Sequence, residues 1–177
     1  CGHHLFGTAS TAAALAIAED IRDGRLRGTV RLYGTPAEEG GGAKVFMVRA
    51  GLFADVDAVL HWHPGDANSA GDPTSQARVA AKFRFHGRNA HAASAPEAGR
   101  SALDAVSLTN FAAELMREHT PDMSRIHYVI TAGGDAPNVV PGFAEVYYYV
   151  RHPDAAVARS LYERLLKCAR AGALATE

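Results

Sequence analysis

The sequence predicts an α/β layer followed by an incomplete split-βαβ (ferredoxin-like) α+β layer, and three observations carry this fold class. Two strand-length apolar runs, residues 29–33 and 56–60, follow helical stretches and empty into loops of metal-competent side chains. Such loops sit at the carboxyl ends of the strands, where α/β sheets place their sites. After residue 76 the apolar spacing gives the order β-α-β-β-α, a split-βαβ unit without its last strand. Between the two layers, residues 66–76 turn rich in Ala, Gly, Asp and Ser, which places a boundary between domains 1–75 and 76–177.

Each element follows from local pattern. Over 8–22, Ala14, Ile17, Ala18 and Ile21 recur at helical spacing in an Ala-rich run suited to close packing, and Asp23-Gly24 stops it. Thr29-Val30-Arg31-Leu32-Tyr33 reads as a strand delivering Pro36-Ala37-Glu38-Glu39-Gly40. A helix over 43–50 closes on Gly51, and residues 56–60 read as a strand entering His61-Trp62-His63-Pro64-Gly65. In the second layer, 79–85 is a strand with Phe83 and Phe85 on one face. Residues 98–118 form a helix with Leu108, Phe111, Ala112 and Leu115 on one side. Strands over 125–131 and 144–151 and a helix over 154–171 complete it. Three strands leave an open sheet edge, which implies a further C-terminal piece or pairing with another subunit.

Composition excludes several classes. The chain has 177 residues, 47% of them apolar, enough for one domain or parts of two. Its 18 basic and 19 acidic residues nearly balance, so no broad basic surface recruits nucleic acid. No apolar run is long enough to span a membrane, and no signal-peptide pattern is present. Cys1 and Cys168 make no disulfide framework, which points to a reducing, cytoplasmic setting. The sequence opens on Cys1 inside a candidate ligand cluster and closes in Ala-rich helix, so an interior fragment of a longer protein is expected.

The chemistry begins with Glu38-Glu39. Adjacent carboxylates fixed between a proline and Gly40-Gly41-Gly42 repel unless they share a cation or a proton; a solvated acidic face is the plainer reading of such a pair alone. One acid can hold an ion while the other accepts a proton from water, and a loop does not say which does which. Cys1 and His3 stand two apart at a helix mouth. Thiolate, imidazole and carboxylate together suit zinc, with manganese open, against a structural cysteine beside surface histidines. A cysteine protease would leave the two acids idle. His61 and His63 share a face if the strand continues, leaving the ligand undecided, and Trp62 either walls a pocket or packs in a core.

In the second layer His91 follows a strand and can donate to a developing oxyanion, or simply cap a turn. Asn138 lies among turn residues with an amide free to face a substrate. Arg151 can clamp a carboxylate bidentately, or serve an interface. The Gly40-Gly41-Gly42 run lacks the lysine-serine ending of a phosphate loop.

Taken together, Cys1-Gly2-His3-His4-Leu5-Phe6-Gly7, Gly34-Thr35-Pro36-Ala37-Glu38-Glu39-Gly40, Val56-Asp57-Ala58-Val59-Leu60-His61-Trp62-His63-Pro64 and Gly87-Arg88-Asn89-Ala90-His91-Ala92-Ala93 resemble the M20 metallopeptidase family. The resemblance is to its amidohydrolase branch of aminoacylases, hippurate hydrolases and aminobenzoyl-glutamate utilisation enzymes. It implies a catalytic α/β domain interrupted by a smaller lid, or dimerisation, domain. It further implies two divalent ions, zinc or manganese, in the intact enzyme. By the same resemblance Cys1, His3, Glu39 and His61 are ligands and Glu38 is the general base; His61 is favoured over His63 because the family's ligand histidine stands three residues before a proline. His91 corresponds to a lid histidine that reaches the partner subunit's site in a homodimer, and Asn138 and Arg151 face the substrate.

Two departures matter. The family's further C-terminal ligand histidine and the segment before the cysteine are not in this sequence, so the activity is expected to belong to the full-length parent. His4 stands where many relatives carry an acid. The implied reaction is hydrolysis of the amide between an acyl or aroyl group and an amino acid, on a p-aminobenzoyl-glutamate-like or N-acyl amino acid substrate. Dipeptidase or deacetylase substrates on the same fold, and a non-catalytic scaffold, are the competing expectations.

Overall fold

A computed structural model describes residues 1–71 and 75–177. It divides into two compact units, Cys1–Gly71 and Asp72–Glu177; part of the compositional boundary expected over 66–76 lies outside the described residues. No helix among the described residues is long and apolar enough to cross a membrane.

The first unit holds two helices, α1 (His3–Arg22) and α2 (Ala43–Arg49). α1 begins five residues before the expected start. Gly2, at φ 73°, turns the chain into it, a left-handed conformation that glycine adopts without steric cost. The carbonyl of Gly2 then accepts the Leu5 N–H at 2.9 Å, although no side chain caps the helix. With no cap residue to read and Gly7 inside the helix, sequence alone hides that first turn, which carries His3. Asp23 and Gly24 end the helix as expected, and Gly51 follows α2 at φ 75°.

The two strands expected at 29–33 and 56–60 do not form; both segments are irregular. A strand exists only through lateral backbone bonds, and among the described residues these segments make none with each other. Side chains fix the first of them instead. Arg31 Nη1 and Nη2 donate to the two Asp55 carboxylate oxygens at 2.7 and 2.6 Å, and the Tyr33 hydroxyl donates to the Leu52 carbonyl at 2.7 Å. No described residue of this unit is buried, so apolar groups such as Phe46 and Leu60 face outward.

The second unit is a three-stranded antiparallel sheet with helices on one face. Its elements are β1 (Ala77–His86), α3 (Ala102–Arg117), β2 (Arg125–Ala132), β3 (Phe143–His152) and α4 (Ala155–Thr176). Strand order is β1-β3-β2, so the element order β-α-β-β-α is the one expected, with β1 and β2 at the edges. Alternation along β3 divides its residues: Ala144, Val146, Tyr148 and Val150 are buried, and Tyr147, Tyr149 and Arg151 occupy the other face. Tyr148 is fully buried, and its hydroxyl donates to Asn110 Oδ1 at 2.5 Å. Burial pushes its phenol upward.

α3 corrects the sequence reading twice. It starts at Ala102, where Ser101 Oγ accepts the Asp104 N–H at 3.1 Å; the residues before it form a short 3-10 turn, Pro96–Ala98, and an isolated pairing of Arg100 with Arg88. Its buried stripe is Ala102, Ala105, Val106, Thr109, Asn110, Ala113 and Met116. The expected stripe faces away, with Leu108 41%, Phe111 63% and Leu115 59% exposed. The small side chains win because α4 approaches closely. A Cβ on Gly172 would clash with Thr109 Oγ1 and stand 2.6 Å from the Ala105 carbonyl oxygen. Gly172→Ala is therefore expected to lower stability by about 2 kcal/mol through overpacking, read as a fall in the thermal midpoint.

On the open face, Glu145 is buried among cations. Lys82 Nζ and Arg84 Nε donate to its two oxygens at 2.9 and 2.7 Å, and Thr131 Oγ1 donates to Oε1 at 2.7 Å. These bonds, that from Lys82 foremost, hold its carboxyl down from 4.5 to about 2. A depressed folded value means that the charged carboxylate stabilises the fold above about pH 4.5, and that this contribution is lost as pH falls toward about 2. Acid-unfolding curves of Glu145→Gln should lose the pH dependence that the unsubstituted protein shows across this window.

Candidate functional site

In the first unit, the left-handed turn at Gly2 sets Cys1 and His3 beside the loop that carries the paired acids. That loop bends at Ala37, a non-glycine residue at φ 53°, an unfavourable conformation of the kind found at functional turns. The bend is closed by the Gly42 N–H donating to the Ala37 carbonyl at 2.7 Å. Glu39 Oε1 is the meeting point: Cys1 Sγ donates to it at 3.3 Å, and His3 Nε2 lies 3.3 Å away. Glu38 Oε2 is 4.0 Å from the same imidazole nitrogen.

One ligand atom from each of Cys1, His3 and Glu39 lies within 4.8 Å of the others. Thiol, imidazole and carboxylate are the donors that zinc-type sites use, so these residues fit a divalent ion. All three are exposed, and Glu38 stands next to the group without being part of it.

His61 is not part of this group. Its ring lies 6.3 Å from that of Phe6, while the His3 and His63 rings each lie 5.2 Å from Phe6. His63 is engaged otherwise, its Nδ1 donating to the Pro64 carbonyl at 2.8 Å. Trp62 packs edge-on against Phe6 at 5.5 Å, and its indole N–H donates to Ser10 Oγ at 3.2 Å. Phe6, from the first turn of α1, thus organises all three aromatic groups of the His61-Trp62-His63 segment.

In the second unit the pairing of β1 with β3 continues past the end of the sheet. Gly87 N–H donates to Gly142 O at 2.8 Å, Val140 N–H to Ala90 O at 2.9 Å, and Ala92 N–H to Asn138 O at 2.9 Å. His91 and Asn138 therefore occupy one exposed tip. His91 Nδ1 accepts the Ala93 and Ser94 N–H groups at 3.2 and 3.1 Å. A neutral imidazole so held carries its proton on Nε2 and presents it outward.

Arg151 lies at the opposite end of β3. Phe143 and Arg151 are separated by about 27 Å at the rise of an extended strand, and the His91 tip lies beyond Phe143. A dipeptide-sized molecule spans roughly 7 Å of backbone. Within one copy of the unit, His91 and Arg151 are too far apart to touch the same small substrate.

The surroundings of Arg151 were not evident in the sequence. Arg78 of β1 and Arg125 of β2 both lie directly opposite it. The spacing of Arg78, Lys82 and Arg84 marks one face of a strand in the sequence, but which residues stand across from them depends on register.

A family model described as a peptidase dimerisation domain, M20_dimer, matches residues 76–177. The chain is 47% identical to one of the component chains of the p-aminobenzoyl-glutamate hydrolase of Escherichia coli K12, over all of this chain and 37% of that protein. It is 35% identical to the Xaa-Arg dipeptidase of Mus musculus, over 99% of this chain and 41% of that one. Among solved structures, an aminobenzoyl-glutamate utilization protein from Klebsiella pneumoniae superposes with a TM-score of 0.58 at 28% identity, covering 73% of this chain and 34% of that one. The chain thus spans about two fifths of the length of the curated relatives it matches.

Proposed function

Because the chain belongs to the M20 peptidase family, on its amidohydrolase branch, we propose that the intact protein is a metal-dependent hydrolase. It cleaves the amide between an acyl or aroyl group and an amino acid, with p-aminobenzoyl-glutamate-like compounds as the leading substrate class. The observation that carries this reading is the convergence of Cys1, His3 and Glu39 within 4.8 Å beside a second carboxylate.

Cys1, His3, Glu39 and His61 would hold the divalent ions, two of them, zinc or manganese, in the intact enzyme. When bound, such ions polarise a carbonyl oxygen and lower the pKa of water. Glu38, beside the ligand trio, accepts the proton of the attacking water and passes it to the leaving nitrogen. His91 donates its outward Nε2–H to the oxyanion, an interaction that strengthens as charge develops, and Asn138 shares that tip. Arg151 holds the substrate carboxylate.

The separation of His91 from Arg151 favours a homodimer in which each lid, residues 76–177, gives its tip to the partner's site. With no disulfide framework and both cysteines free, a reducing cytoplasmic setting suits the thiol ligand. The test is metal analysis of the full-length protein with turnover of p-aminobenzoyl-glutamate, hippurate, N-acetyl amino acids and Xaa-Arg dipeptides. Bound zinc or manganese with fastest cleavage of the first supports the proposal. Fastest cleavage of the dipeptides selects the activity in the mouse relative's name, and absence of both metal and turnover leaves a scaffold.

A further inference from the structure

The open face of the sheet carries an arrangement that stability does not explain. Arg78, Arg151 and Arg125 stand side by side on three adjacent strands, and like charges directly opposite destabilise a sheet. Elsewhere on this face the problem is solved, since Lys82 and Arg84 share the Glu145 carboxylate. Among the described residues no carboxylate pairs with any of the three arginines.

Two of the three act on one ring. The Arg78 guanidinium carbon lies 4.6 Å from the centre of the Tyr149 ring, and that of Arg151 lies 5.6 Å from it. Arg151 Nε is buried with no hydrogen-bond partner, an uncommon state for a donor in a folded protein. Arg125 is engaged elsewhere, its Nη1 donating to the Ser124 carbonyl at 2.7 Å. Arg78 and Arg151 are left as a doubly charged pair whose backbones are one strand spacing, about 4.8 Å, apart. Two carboxylates joined by two or three carbons have a similar separation.

We propose that Arg78 is a specificity-determining residue: with Arg151, over Tyr149, it forms a two-guanidinium seat for both carboxylates of an acidic leaving amino acid. This rests on the hydrolase reading above and extends it. A monocarboxylate satisfies one guanidinium and leaves the other repelled; a dicarboxylate answers both, and a basic leaving residue is rejected by the same charge.

Two measurements on the full-length protein test the seat. In the first, Arg78→Gln should lower kcat/KM for p-aminobenzoyl-glutamate about 10- to 100-fold relative to that for p-aminobenzoyl-glycine, while Arg78→Lys, which keeps the charge without the fork, should fall less. An unchanged ratio in both variants overturns the proposal. In the second, calorimetric titration with glutarate, butyrate and inorganic phosphate needs no turnover. Glutarate should bind at least about tenfold tighter than butyrate or phosphate, with the preference lost in Arg78→Gln. Equal affinities, or phosphate preferred, overturn it. A protein that hydrolyses no amide yet keeps the Arg78-dependent glutarate preference would remove the hydrolase reading and leave the seat standing.

Discussion

Replacing Glu38 by Gln in the full-length protein is expected to lower kcat by about 100- to 10,000-fold, the usual contribution of a general base, with the bound metal content unchanged. The substitution keeps the shape and removes only the ability to accept a proton. Glu39→Gln should behave differently, because Glu39 Oε1 is the atom that both Cys1 and His3 approach at 3.3 Å. Loss of that carboxylate charge should lower metal content and activity together. Metal analysis beside steady-state rates separates the two roles. Retained turnover in Glu38→Gln would remove that residue as the base, and metal loss in Glu38→Gln alone would exchange the roles of the two acids.

Mixing two inactive variants should restore activity if the His91 tip serves the partner's site. In a dimer of Glu38→Gln with His91→Ala, one site receives both lesions and the other receives none. After random reassociation of equal amounts, half the dimers are mixed and each has one intact site, so roughly a quarter of the original activity returns in a two-fold symmetric assembly. If His91 instead acted within its own subunit, every site would keep a lesion and mixing would restore nothing. The physical basis is a distance: Arg151 lies about 27 Å along β3 from Phe143, and the His91 tip lies beyond Phe143.

The parts of this molecule that sequence revealed are those set by neighbours along the chain. β1 alternates residue by residue, and the limits of β1, β2 and β3 are found within two residues of the expected ones. The Asp23-Gly24 and Gly51 stops are likewise local. Residues 29–33 and 56–60 have the composition of strands, but pairing is lateral, and neither segment finds a partner in the other. On α3 both faces are apolar enough to bury. The choice fell to Ala102, Ala105 and Ala113 because Gly172 lets α4 come close, a contact between residues some sixty positions apart in the chain.

The same division holds for the site. Residue types and spacing along the sequence picked out the candidate groups: two adjacent acids, a thiol and imidazole two apart, and histidines before Pro64. They also determined the order of elements in the second layer, because hydrophobic periodicity is a property of consecutive residues. Spacing alone leaves the two acids equivalent; the tertiary structure brings Glu39 rather than Glu38 to Cys1 and His3, leaves His61 outside that trio, and stands Arg78 opposite Arg151. Each of these is a distance between groups far apart in the chain, set by loop conformation and strand register, which no run of neighbouring residues encodes.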